Sequence, residues 1–297
     1  FCLTLENEEN MKIVTDSGAD LSYDQCQALG VEMVPLKVSV EGKTYLSGVD
    51  LLPDAFYDLL DKTDEMPITS TPSIGEFVEV YERVAKIDPE ILSIHISSGL
   101  SGTFSTAVTA ANMVKNAKIT LVDTLTLSAG MAWQLEAAVK ALKAGLPLEK
   151  ILSLVKQIQQ ASTGIFTLPE LKYLIAGGRI SHLKGLLASV LGIKPIIRVS
   201  NTDGKYYDVG KKRSFLKAIE AIPEIISKGI SQGTKVRTQL CHAGNLDGGQ
   251  FLVNAMNAMF DCDWLPPSSI GTALGAHTGR GMVGVIVASQ SDYPAIG

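Results

Sequence analysis

Ile91-Leu92-Ser93-Ile94-His95-Ile96-Ser97-Ser98-Gly99-Leu100-Ser101-Gly102-Thr103 opens as a short, nearly continuous apolar run and closes in hydroxyls and glycines. An apolar run of that length bounded by turn residues reads as a buried strand from Ile91 to Ile96, and the Ala- and Val-rich stretch after Thr103 reads as a helix. A strand that feeds a helix through such a loop is one unit of a parallel sheet covered by helices. Ligands of open α/β sheets collect outside the carboxyl ends of the strands, which is where this loop lies.

The same alternation extends to both sides. Ile13 and Val14 begin a strand ending at Thr15-Asp16-Ser17, and Ser22 with Gln25 forms a capping box for a helix that Gly30 stops. Val31 to Val40 and Lys43 to Leu46 flank the hairpin signal Glu41-Gly42, and a helix from Pro53 to Leu60 follows. Thr69-Ser70-Thr71-Pro72-Ser73 reads as a polar turn, with Ser73 and Glu76 capping a helix to about Lys86. Ile119 to Asp123 supplies another strand, and helices over Leu127 to Lys143 and Pro147 to Gln160 are separated by Gly145. Residues 11–162 are therefore expected to form an N-terminal α/β domain, a parallel sheet with helices on both faces.

From Gly164 onward tight-turn signals take over. Thr202-Asp203-Gly204-Lys205 joins Ile193 to Val199 with Tyr206 to Val209, which favours antiparallel pairing. The boundary falls near Ser162, and residues 163–297 are expected to form a second α/β domain with a mostly antiparallel sheet. Its helices are expected over Leu183 to Leu191, Lys212 to Ser227 and Gln250 to Phe260, with strands over Val236 to His242 and Met282 to Ser289. Phe1 to Asn10 has neither a basic nor a long apolar region and reads as a leader ahead of Met11.

Composition removes several function classes. The 297 residues suit two domains sharing one connected core. The 26 Lys plus Arg against 31 Asp plus Glu give a net charge of -5, without the basic excess that nucleic-acid binding exploits. Cys2, Cys26, Cys241 and Cys262 are scattered, with no C-x-x-C pair to suggest a zinc site or a disulfide framework, so a reducing, cytoplasmic setting is expected. No apolar run approaches the ~20 residues of a membrane-spanning helix. That leaves transient contact with a membrane surface open.

Thr69, Ser70, Thr71, Ser73, Ser97, Ser98, Ser101 and Thr103 put hydroxyls beside backbone N–H groups at two helix entrances, an arrangement suited to a carboxylate or phosphate. Capping and turn chemistry explains either loop alone. Arg179 follows Gly177-Gly178, where backbone and guanidinium can approach an anion closely, although a helix end followed by a surface Arg has the same pattern. Arg213 stands at the apparent start of a helix, an unfavourable place for a cation in dipole terms, so another partner would justify it. His277 lies among glycines in Gly275-Ala276-His277-Thr278-Gly279-Arg280-Gly281, and either a ligand contact or a satisfied core histidine fits. His242 has the same ambiguity, while His95, in mid-strand, is assigned to structure. There is no G-x-S-x-G elbow, P-loop, G-x-G-x-x-G fingerprint or metal-ligand spacing. A Ser/His acyl-ester hydrolase using Ser101 and His277 is the enzymatic alternative to an anion binder.

Taken together, Val14-Thr15-Asp16-Ser17, Thr69 to Ser73, Ser97 to Thr103, Gly177 to Ser181 and Ala276 to Gly281 resemble the DegV family from Met11 to about Ser289. The likeness is greatest to the fatty-acid-binding subunits of bacterial fatty acid kinases. It implies a long-chain fatty acid in an apolar tunnel between the two domains, with no cofactor and no ATP site in this chain. A separate kinase subunit resembling dihydroxyacetone kinases would make acyl-phosphate, a step of phospholipid metabolism. It further implies that Thr69, Ser101 and His277 hold the carboxyl group, and that Arg213 and Arg179 support the head group or phosphoryl transfer. Thr71 stands where many relatives have Gln, which alters part of that head-group pattern.

Overall fold

A computed structural model describes residues 11–183 and 192–295. In the first half, chain order runs β1 (Lys12–Asp16), α1 (Tyr23–Leu29), β2 (Val31–Val34), β3 (Lys37–Val40), β4 (Lys43–Leu46), α2 (Pro53–Leu60), β5 (Ile68–Ser70) and α3 (Ile74–Ala85). It continues with β6 (Glu90–His95), α4 (Thr103–Met113), β7 (Lys118–Asp123), α5 (Ser128–Lys143) and α6 (Leu148–Ala161). Strands β2-β1-β6-β7 form a four-stranded sheet whose pairs are all parallel. The outer face packs Val14 and Ile91 against Phe77 and Tyr81 of α3 and Ala107 of α4. On the other face Ile13, Leu92 and Ile94 join α1, α5 and α6.

Local chemistry sets several of these ends. Both capping boxes form, Ser22 with Gln25 and Ser73 with Glu76, and Gly30 closes α1 in the left-handed conformation. Val31 to Val40, expected as one strand, is two. Pro35 lacks an N–H and interrupts the ladder, and the next amide, Leu36, donates to the Ser17 hydroxyl. Strand β2 stays in the parallel sheet, while β3 turns away into a small antiparallel sheet, β4-β3-β5. Its third strand contains Thr69 and Ser70, so the polar turn begins as an edge strand.

The second half runs β8 (Thr163–Thr167), α7 (Lys172–Ala176), β9 (Lys194–Val199), β10 (Tyr206–Lys212), α8 (Phe215–Ile226), β11 (Lys235–His242), α9 (Leu246–Asn257), β12 (Asp261–Ser269), α10 (Thr272–Thr278) and β13 (Val283–Ser289). The six strands order as β10-β9-β8-β13-β11-β12, antiparallel except at β11–β12. One face is covered by α8 and α9. The other contributes Phe166, Ile197 and Ile286 to the same core as α5 and β6, so one interior spans both halves. The helix expected from Lys212 starts at Phe215, because Lys211 and Lys212 belong to β10 and Ser214 caps the helix. That expected over Leu183 to Leu191 lies outside the described residues, apart from Leu183, as do Phe1 to Asn10.

The halves are stitched by specific contacts. The Ser97 hydroxyl donates to the Gly204 carbonyl at 2.9 Å, placing the β9–β10 turn on the loop after β6. A side chain on Gly204 would overlap that hydroxyl, and one on Gly99 would meet the Asp203 carbonyl. Beneath this loop, Asp16 is fully buried. Its Oδ2 accepts from the Ile96 amide and pairs with His95 Nδ1 at 2.9 Å, while Oδ1 accepts from the Gly18 amide. His95 Nε2 continues to Ser93 and then Tyr81.

Asp16→Ala would orphan the Gly18 and Ile96 amides and His95 Nδ1 in a dry interior. It is expected to lower stability by at least about 2 kcal/mol, read as a fall in the urea midpoint at unchanged slope. A loss below about 0.5 kcal/mol, the lower bound for a single net hydrogen bond, would show that the network contributes little.

Candidate functional site

Thr69 is delivered by β5, Ser101 by the loop between β6 and α4, Arg179 by the turn after α7, and His277 by α10. All four line one small cavity of about 80 Å³, together with Ser70, Thr71 and Tyr206. Thr69 Oγ1 lies 2.8 Å from His277 Nε2, linking residues 208 positions apart. Ser101 Oγ pairs with Thr103 Oγ1 at 2.9 Å and accepts from the Thr103 amide at the start of α4.

His277 is 9% exposed. Burial, then the neighbouring Arg179 guanidinium, depress its pKa from 6.5 to about 4, so the imidazole is neutral near pH 7. Nδ1 is buried and has no partner among the described residues. A proton on Nε2 therefore costs least, since it makes Thr69 the acceptor and leaves a lone pair rather than an N–H unpaired. The Thr69 hydroxyl hydrogen is then free for another acceptor. Gly177 has to be glycine, because any Cβ there would run into the His277 ring. Arg179 is held across the site, with Nε donating to the Leu100 carbonyl at 3.2 Å and Nη1 to the Gly177 carbonyl at 2.7 Å.

Hydroxyls, one guanidinium and a neutral imidazole thus converge, with no carboxylate among the described residues of the lining. That set favours a monoanionic group. Leu127, Tyr206 and Leu274 also line a second cavity of about 40 Å³, whose other walls include Phe166, Val199, Ile270, Met282 and Ile286. A polar pocket and an apolar one therefore adjoin inside the shared core. A groove of about 850 Å³ beside Met11 and Gly145 is larger, but among the described residues no hydroxyl or imidazole faces it.

Arg213 is exposed and outside the cavity lining. His242 also lies outside it. Residues that sequence reasoning passed over include Tyr206 and Leu274, whose strand and helix give no local sign of a shared cavity. Among the described residues no hydrogen bond joins Ser101 to His277, and a histidine depressed to about 4 is a weak base. The Ser93–His95–Asp16 chain is sealed from solvent, with all three residues 0% exposed. Neither arrangement favours the hydrolase. No cluster of three or more His, Cys, Asp or Glu able to hold a metal occurs among the described residues, and no described helix is long and apolar enough to cross a membrane.

Comparison with known proteins places the chain and its fold. A DegV domain-containing protein of Staphylococcus aureus is 33% identical over 275 residues, 93% of this chain and 97% of that protein. The crystal structure of DegV from Bacillus subtilis, described as a fatty acid binding protein, superposes with a TM-score of 0.84 at 29% identity, covering 95% of this chain and 100% of that one. A DegV family protein of Thermus thermophilus, described by its fatty acid binding, gives 0.83 at 28% identity over 94% and 99%. The family model described as "Uncharacterised protein, DegV family" matches residues 10–290. The chain belongs to the DegV family.

Proposed function

We propose that this protein buries a long-chain fatty acid between its two halves and presents the carboxylate to a separate, dihydroxyacetone-kinase-like subunit. The observation that carries this reading is the adjacency of the two cavities: a carboxylate-sized polar end with Thr69, Ser101, Arg179 and His277 shares the walls Leu127, Tyr206 and Leu274 with an apolar space. Burying a sixteen-carbon tail at ~0.8 kcal/mol per CH₂ yields on the order of 12 kcal/mol before association costs. The tail can supply most of the affinity and the head group its orientation. Both cavities are small beside the roughly 300–1,000 Å³ of ordinary ligand pockets. Entry of the chain therefore requires side chains of the shared wall, Leu127 and Leu274 among them, to move.

In the reaction, the presented carboxylate oxygen would attack the γ-phosphorus of ATP brought by the kinase, and the bond to ADP would break. Arg213, exposed and outside the cavities, fits the kinase-facing step better than the carboxylate. Protein purified from a bacterial host is expected to release endogenous fatty acid on denaturation, detected by mass spectrometry. Empty protein with no saturable binding of palmitate would refute the acyl reading. In a reconstituted kinase assay, Arg213→Ala is expected to lose acyl-phosphate formation while keeping palmitate affinity, and unchanged turnover would remove Arg213 from the mechanism.

Gly177→Ala drives a methyl into His277 and is expected to cost about 1–3 kcal/mol of stability together with a measurable loss of palmitate affinity in titration calorimetry. Unchanged binding would place His277 outside the head-group contact. In ligand-free protein the His277 imidazole is expected to titrate near 4 by NMR. Its folded pKa lies below the unfolded one, so its stabilising contribution is complete above pH 6.5 and is lost as pH falls toward 4. A midpoint close to the ordinary 6.5 would contradict the desolvated site.

A further inference from the structure

The polar and the apolar cavity share three described walls, Leu127, Tyr206 and Leu274, and of these side chains only the tyrosine carries a polar atom. Successive residues of a strand face opposite ways. Strand β10 accordingly turns Tyr206 inward, 4% exposed, while Tyr207 is exposed and donates to Asp203 at 2.9 Å. The turn ahead of it is pinned where the Ser97 hydroxyl meets the Gly204 carbonyl, and Tyr206 lies opposite Val199 of β9. Its ring meets Phe166 edge-on, with centroids 5.4 Å apart. Backbone and ring are both held, so the hydroxyl has a fixed place. Buried tyrosines as a rule find a partner for that hydroxyl. Tyr57 and Tyr81 do so, at the Ile270 carbonyl and Ser93, whereas the Tyr206 hydroxyl forms no hydrogen bond with a described residue. Burial raises its pKa, against the pull of the nearby Arg179 guanidinium, so the phenol stays protonated and able to donate.

We infer that Tyr206 is a further head-group residue, whose hydroxyl donates to a carboxylate oxygen of the bound fatty acid and favours the ionised acid over neutral lipids of the same length. This rests on the acyl reading given above. A carboxylate offers two oxygens with about four acceptor sites between them. Arg179 already spends Nε and Nη1 on the Leu100 and Gly177 carbonyls, and His277 is engaged with Thr69, so the hydroxyls of Thr69 and Ser101 leave acceptor sites open. A phenol fills one of them without burying a further charge. Because the same side chain also walls the apolar cavity, its hydroxyl stands where the head and tail of such a ligand meet. Hydrogen bonds to an ionised acceptor are about twice as strong as those between neutral groups, so a fatty alcohol gains less from it.

Tyr206→Phe removes the hydroxyl and keeps the ring against Phe166. With the full chain stripped of endogenous lipid, titration calorimetry is expected to show palmitate binding roughly tenfold or more weaker to the variant. 1-Hexadecanol, of the same length and uncharged, is expected to lose less. The urea midpoint of the ligand-free variant is expected to match that of the parent, since no group of the protein is left without its partner. A merely structural hydroxyl would give the opposite pattern, lower stability with the two ligands affected alike. The inference is overturned if palmitate binds the variant as tightly as the parent or more tightly, if the alcohol loses as much as the acid, or if the ligand-free midpoint falls. Should the parent itself show no saturable binding of palmitate, the acyl reading fails and this inference with it. A parent that binds palmitate beside a variant that binds it equally well removes Tyr206 alone.

Discussion

A short helix of the second half, α10, is held inside the first, and the site depends on that embrace. The Tyr57 hydroxyl donates to the Ile270 carbonyl at 2.9 Å, Asp20 accepts from the Gly271 amide at 2.8 Å, and Ser47 accepts from the Ala273 amide and the Thr272 hydroxyl. Beyond its far end Arg280 pairs with Asp58 and Asp61 of the α2 region. A helix fixed in this way by groups from the other half brings His277 to Thr69 without any flexible loop in between. Gly275 shows how tight the fit is, for a Cβ there would stand 2.7 Å from the Tyr57 hydroxyl.

Burial sets the electrostatics in opposite senses at the two ends of α10. At His277 desolvation favours the neutral imidazole and lowers the pKa to about 4, whereas at Asp20 it favours the neutral acid and raises the pKa to about 7. On acidification below 6.5 His277 loses stabilising free energy while Asp20 gains it. The two therefore offset each other across the same window, and global stability against pH hides both. A neutral histidine also spares the head-group pocket the cost of a second buried charge beside Arg179.

Much of the scaffold was legible because the signals were local. Ser22 with Gln25, Ser73 with Glu76, and Glu41-Gly42 each describe a helix start or a turn within four residues of chain. What escaped was decided by distant neighbours. Strand β12, Asp-Cys-Asp-Trp-Leu-Pro-Pro-Ser-Ser, alternates only over its first four residues, because a bulge at its two prolines breaks the pattern on this edge strand. Helix α10 looks like a glycine-rich loop because close packing on Phe56 and Tyr57 forces small residues into it. Of the site, Thr69, Ser101, Arg179 and His277 could be picked out as hydroxyl- and glycine-rich motifs. The convergence of Thr69, Ser101 and His277 was expected only from the family resemblance, and the exclusion of Arg213 from the lining belongs to the fold alone. The apolar walls come from β8, β9, β13, α5 and α10, and no single stretch of sequence announces them.

The shared interior also has a bearing on how the chain is made. Leu36, Phe56 and Tyr57 emerge early in synthesis, yet Ala273, Leu274 and Ala276, which belong to the same core, arrive more than 200 residues later. At roughly 5–20 residues per second, the nascent first half waits many seconds with a greasy face uncovered. Apolar surface exposed for that long is the kind that promotes aggregation before folding is complete.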